Sequence, residues 1–207
     1  MLESFLFHEG RVKYQYKILL LCNMFSSCIG SIEYAIGIQC LFMAMDGRHS
    51  VQFLTKDIVG QAIGLCIVNY IKRFTPSQLL WFSTIFLQIG VLSDLLLLKF
   101  PDFLLLLTCL STTLKNIGFT LNSTMHIQAL NKSVTDEYIG ESYVSYASTS
   151  TIAGTIGMGL GIVVTTYGSP KLWLVLVPLL GVCRWYSFYR VCEIIRHEYV
   201  ELPEPYL

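Results

Sequence analysis

Six charged residues fall inside long apolar stretches of this sequence: Glu33, Lys56, Asp57, Asp94, Lys115 and Arg184. A charge in the interior of a bilayer is costly, so each should face a partner or a watery cavity. At about 1.5 Å of helical rise per residue, Glu33, Lys115 and Arg184 fall near mid-depth of three different helices. Lys56, Asp57 and Asp94 fall together nearer one face. Two chemistries are open. In one, Glu33 pairs with Lys115 and Lys56 with Asp94, and the pairs only fix helix register. In the other, the six residues line a polar cavity whose middle holds one acid and two bases, a net positive site suited to a small anionic ligand. Lys115 is then the residue of most consequence, because an uncompensated cation at that depth costs at least about 2.5 kcal/mol.

Other chemistry is sparse. His8, His49, His126 and His197 have no metal-ligand spacing and are expected to be interfacial or solvated. The seven cysteines, Cys22, Cys28, Cys40, Cys66, Cys109, Cys183 and Cys192, mostly lie in apolar segments without CxxC spacing, as small hydrophobes do, with Cys192 a candidate for acylation. Asn122-Ser123-Thr124 matches the glycosylation pattern but falls within an apolar segment. No phosphate loop, nucleophile elbow or catalytic carboxylate pair is present. The expectation is a protein that is not an enzyme and holds neither cofactor nor metal.

The elements that must position these charges are membrane helices. Charged residues are 14% and hydrophobic residues 54% of the chain, and the mean hydropathy is +0.58. Soluble domains carry roughly 25% charge. From Ser142 to Pro170 there is no charge at all, longer than the roughly 20 residues a bilayer needs. Charges and turn residues divide the chain into six helices, at about 18–45, 51–70, 78–98, 103–129, 142–170 and 172–191. Asp46-Gly47-Arg48-His49, Thr75-Pro76, Lys99-Phe100-Pro101-Asp102 and Gly168-Ser169-Pro170 mark the breaks. The fold expected is all-α, a compact bundle of about six transmembrane helices, the size of one half of a major-facilitator-type carrier. Residues 1–13 and 197–207 form short tails around a transmembrane domain of 14–196.

Helices in lipid approach closely where small residues recur every four positions. Gly60 and Gly64 make one such face, and Ala153, Gly157 and Gly161 a longer one. That second face either packs within the chain or carries a homodimer or another membrane protein. Trp81 and Trp173, at opposite helix starts, suit the interfacial aromatic belts.

An even number of spans collects Arg11, Lys13, Lys17, Lys72, Arg73, Lys132, Arg190 and Arg196 on one side, against Arg48, Lys99 and Lys171 on the other. The basic excess places both termini in the cytosol. Met1 to Gly10 carries Glu3 and Glu9 where a signal peptide would be basic. The net charge of zero gives no sign of a nucleic-acid partner.

Several stretches resemble the root UVB-sensitive family, eukaryotic membrane proteins linked to vitamin B6 homeostasis and light protection. Ser26-Ser27 with Gly30 is similar to that family's first-helix motif. Lys56-Asp57 with Gly60 and Gly64 resembles its second, and Asp94 falls on an aspartate of its third helix. Phe103-Leu104-Leu105-Leu106 through Lys115 and Gly118 is similar to its fourth-helix motif. Gly168-Ser169-Pro170 and Tyr186-Ser187-Phe188-Tyr189-Arg190 resemble motifs near the domain's end. The family's arginines after the second-helix glycines and in the fourth helix are replaced here, by Leu65-Cys66 and by Leu121-Asn122-Ser123-Thr124-Met125. Glu33 and Arg184 have no counterpart in the family pattern, so the resemblance implies Lys56, Asp57, Asp94 and Lys115 as the shared part of a site.

Three function classes fit. The first is binding or transport of a small polar or anionic solute, such as a vitamin B6-related metabolite, in an intracellular membrane such as the endoplasmic reticulum. The alternative is a membrane scaffold or assembly partner with no solute. A membrane enzyme comes third, for want of a catalytic constellation.

Overall fold

The computed structural model describes residues 14–44, 62, 63, 66, 75–134 and 138–197, and regular structure among the described residues is entirely helical. The helices are α1 (Tyr14–Ala44), α2 (Pro76–Leu96), α3 (Leu104–Ser133), α4 (Ile139–Tyr167) and α5 (Pro170–His197), with a 3₁₀ turn at Pro101–Phe103 before α3. All five are long and apolar enough to cross a membrane. The expected second segment, about 51–70, lies outside the described residues except for Ala62, Ile63 and Cys66, which are helical. Lys56, Asp57, Gly60 and Gly64 lie outside them too.

Local chemistry sets the helix starts. Thr75 caps α2 by accepting from the Gln78 backbone N–H, while the Gln78 side chain accepts from the Thr75 N–H at 2.9 Å, a reciprocal capping box with Pro76 behind it. Between α4 and α5 the extended Gly168 and the Ser169 carbonyl turn the chain within two residues. Several helices run past their expected ends. α5 continues to His197 and α3 to Ser133, and their basic residues are answered within the protein, Lys132 donating to the Ile195 carbonyl at 3.2 Å, Arg190 pairing with Glu193 and Arg196 reaching Ser77.

Side-chain contacts fix the directions. α1 and α4 run parallel: Tyr16 donates to the Ser142 carbonyl at 3.2 Å, Asn23 to the Tyr146 carbonyl at 3.0 Å, and Ser27 and Ser150 share a hydrogen bond of 2.7 Å. α2 and α3 form an antiparallel hairpin. α5 runs against α1, with the Ser187 hydroxyl donating to the Cys22 carbonyl at 2.9 Å, and against α2, with Arg196 reaching Ser77. α1 and α2 therefore point the same way, so Ala44 and Pro76 lie at opposite ends of the bundle. Tyr14 and His197 consequently share one end, called here the terminal end.

Two apolar clusters fill the interior. The larger, toward the terminal end, gathers Tyr16, Leu19, Leu79, Leu121, Met125 and Phe188. The smaller, toward the far end, gathers Ile36, Cys40, Val91, Leu95, Trp173 and Val177. Trp173 corrects an expectation: it is at the expected depth but faces inward, 1% exposed, donating to the Val164 carbonyl at 3.3 Å. The tight turn at Gly168 brings its indole N–H to the open carbonyl end of α4. Trp81 is 55% exposed, as an interfacial residue would be. Cys192 is buried, so it does not present the thiol that acylation needs.

The face of Ala153, Gly157 and Gly161 is occupied by α1 of the same chain. A side chain at Gly157 would strike the Cys28 backbone, and one at Gly161 would strike Ala35 and Ile32. Of the two uses expected of that face, packing within the chain is the one observed, since spacing of small residues marks a close approach without saying which helix approaches. The hairpin uses two lone glycines in the same way. Gly90 meets the Ser111 carbonyl and Lys115, and Gly118 meets Leu87 and the Ser83 carbonyl.

Gly157→Leu should lower the stability of the detergent-solubilised protein by on the order of 1–3 kcal/mol through overpacking, read from thermal unfolding. Gly159→Leu, on the same helix with nothing within 4 Å of an added Cβ, should leave it unchanged. Equal behaviour of the two variants would contradict the packing of α1 on α4.

Candidate functional site

Helical spacing puts Asn23, Ser26, Gly30, Glu33 and Gly37 on one inward stripe of α1, three or four residues apart. Glu33 and Gly37, one turn apart on it, organise the centre of the bundle. Glu33 forms an ion pair with Arg184 of α5, both side chains only 2% exposed. At Gly37 the missing side chain makes room for the carboxylate of Asp94, whose Oδ2 an added Cβ would approach to 2.5 Å. Asp94 in turn accepts from Lys115 Nζ at 2.7 Å, with side-chain exposures of 7% and 18% respectively. Gly90 gives the Lys115 stem its space, an added Cβ there lying 2.7 Å from Cγ. Two ion pairs about 6 Å apart along α1, drawn from four helices, thus lie where the two apolar clusters meet.

The pairing differs from that expected. Glu33 meets Arg184 rather than Lys115, and Lys115 meets Asp94. Depth counting gives the level of a residue but not which helix it faces. The antiparallel hairpin turns Lys115 toward α2, while α5, lying against α1, delivers Arg184. The charge balance changes with it, because the expected surplus of one acid against two bases becomes two acids against two bases among the described residues. Lys115 stretches from mid-depth toward the level of Asp94 and so joins what depth alone separated into two layers.

Removing one partner of a buried pair leaves an uncompensated charge, whereas replacing both by apolar groups of like volume is far less costly. The pairs therefore constrain which helices sit together more than they add to stability. Gln88 of α2 adds a polar neighbour, its carboxamide lying against Gly181, one turn from Arg184.

A second polar group, not anticipated from the sequence, lies toward the terminal end. His126 of α3 is fully buried, with the Tyr146 hydroxyl of α4 2.7 Å from its Nδ1 and Phe188 edge-on at 6.2 Å. The expected interfacial histidine is corrected: α3 extends two turns beyond it, which draws His126 inside. Its spacing from Lys115 and Asn122, eleven and four residues, was the available signal, since all three share one helical face.

Arg184→Met alone should lower stability by about 3–5 kcal/mol, and Glu33→Leu with Arg184→Met should recover most of that loss. Unfolding titrations of the two single variants and the double variant check it. A double variant as unstable as the sum of the singles would show that the two residues do not act as a pair.

Residues 15–199 match the family model of the vitamin B6 photo-protection and homoeostasis domain. No curated protein and no solved structure matches the chain. The match takes in all five described helices and both ion pairs, and the motif residues Ser26, Ser27 and Gly30 lie on α1, Asp94 on α2 and Lys115 and Gly118 on α3. A membrane-type bundle carrying this domain over most of its length belongs to the root UVB-sensitive family, the proteins of vitamin B6 photo-protection and homoeostasis.

Proposed function

We propose that this chain is a non-enzymatic membrane protein that binds a small polar solute at the Glu33, Arg184, Asp94 and Lys115 layer and passes it between the two sides. The observation that carries the reading is that four helices each contribute one charge to this layer at the junction of two apolar clusters. In stability alone such pairs gain little over apolar residues of the same volume. Paired charges can instead exchange partners. An anionic group competes with Glu33 for Arg184, or with Asp94 for Lys115, and an amine competes for the carboxylates. The balanced charge of the layer suits a solute bearing both kinds of group, and the family's description makes vitamin B6 vitamers the first to test.

The reading places both termini on the cytosolic side of an intracellular membrane. It is supported by the shared end of Tyr14 and His197 and by Lys17, Lys132, Arg190 and Arg196 at that end. The scaffold alternative is favoured by one observation, the broad apolar outer face of α4, where Ile152, Ile156, Leu160 and Val163 are all exposed.

Purified protein in nanodiscs should gain thermal stability with pyridoxal phosphate or another charged vitamer, by about 2.7 kcal/mol at a hundredfold excess over the dissociation constant. The double variant Glu33→Leu with Arg184→Met should fold without that gain. If it retains full function in cells, the pairs are structural and the scaffold stands. Glycosylation of a reporter at either terminus would refute the proposed orientation.

A further inference from the structure

Buried polar atoms without a hydrogen-bond partner are concentrated on one seam of the bundle. Among the described residues they are His126 Nε2, Asn122 Oδ1 and Ser111 Oγ on α3, Glu33 Oε1 on α1, and Arg184 Nε and Nη1 on α5. The other residues with such atoms, Gln15 and Trp185, lie off this seam, toward the terminal end. Ser111, Lys115, Asn122 and His126 form one stripe of α3, spaced by four, seven and four residues. Its Ser111 and Lys115 end packs against Gly90 of α2, and from Lys115 onward it borders the α1 stripe of Asn23, Ser26, Gly30, Glu33 and Gly37. Phe119 of α3 lies 3.7 Å from a Cβ added at Gly30, and Tyr146 joins His126 to Asn23 through its hydroxyl and its carbonyl. The two stripes run antiparallel at matching levels.

Each orphaned atom carries a desolvation penalty unless a partner is supplied, and in a polar interior that partner is water making two to four hydrogen bonds. We infer that a file of bound water molecules runs between α1 and α3, from Lys115 past Arg184, Glu33 and Asn122 to His126. The mouth is at Lys115, whose side chain is 18% exposed where its neighbours Asp94, Glu33 and Arg184 are at most 7%. The inner end is closed by Tyr146, Phe188 and the larger apolar cluster. In the tautomer where the Tyr146 hydroxyl donates to Nδ1, Nε2 of His126 carries the proton and, with no hydrogen-bond partner in the protein, is the donor offered to the file. Water ordered in this way links a histidine to Glu33 and to the Asp94 and Lys115 pair, a route along which protons exchange with the outside. The inference stands apart from solute binding, since a hydrated seam can exist in a protein that moves no solute.

The test uses the full chain, ¹⁵N-labelled at histidine, in lipid nanodiscs, with the His126 signal assigned by its loss in His126→Gln. On transfer to D₂O the His126 imidazole N–H should exchange within minutes. Asn122→Leu, which blocks the file and leaves both ion pairs in place, should slow that exchange by about tenfold or more. If Asn122→Leu does not fold, Ser26→Val at a nearby level serves instead. Protection of the wild-type His126 N–H over hours would overturn the inference, as would fast exchange that neither variant slows. Failure of every vitamer to bind would leave these outcomes unaffected, so the two proposals fail separately.

Discussion

A charge held in hydrocarbon must be answered by an opposite charge on a neighbouring helix, and most of this architecture follows from meeting that demand twice within one turn of α1. Glu33 fixes the partnership of α1 with α5. Asp94, set into the gap at Gly37, joins the α2 and α3 hairpin to the same stretch of α1. Apolar side chains alone give no such instruction, because lipid tails are as apolar as leucine and one greasy face packs about as well as another. The pairs choose the neighbours, and dispersion between close-packed surfaces then supplies much of the attraction.

Close approach is the complement of that choice. Glycine at positions 37 and 90 holds open the volume that an acid and a lysine stem occupy, and at 118, 157 and 161 it lets backbones or short side chains meet. The α1 and α4 seam adds direct hydrogen bonds between small polar groups, which in lipid contribute roughly 0.6–2 kcal/mol each. α4 is held almost wholly by this seam and turns the rest of its surface outward.

The five described helices are legible in the sequence because both their length and their lack of charge are properties of a continuous run of residues. The charge-free span after Ser142 and the break at Gly168-Ser169-Pro170 needed no knowledge of tertiary structure. The level of each buried charge was legible for the same reason, since rise per residue is constant. Its partner was not. Partner choice depends on how each helix is rotated and which helix lies beside it, and five helices of nearly uniform apolarity carry little information about rotation. Gly157 and Gly161 could be seen as a contact face by their spacing, whereas Gly37, Gly90 and Gly118 each stand at a critical contact with no repeat to mark them. His126 looks interfacial in the sequence because polar residues follow it closely, whereas α3 continues to Ser133 and keeps it inside.

The parallel pairing of α1 with α4 also bears on how the protein is made. Ser27 and Ser150 are 123 residues apart, so at about 5–20 residues per second α1 is finished some 6–25 s before its main packing partner has been synthesised. Throughout that interval the Asn23, Ser27 and Cys28 surface has no helix to meet, and Glu33 has no arginine until the last span is complete. The first segment must therefore wait in the insertion machinery, in the company of another protein, or with its carboxyl group neutral. Assembly of this bundle is closed by its final hairpin, so truncation of the last helices would strand the first one.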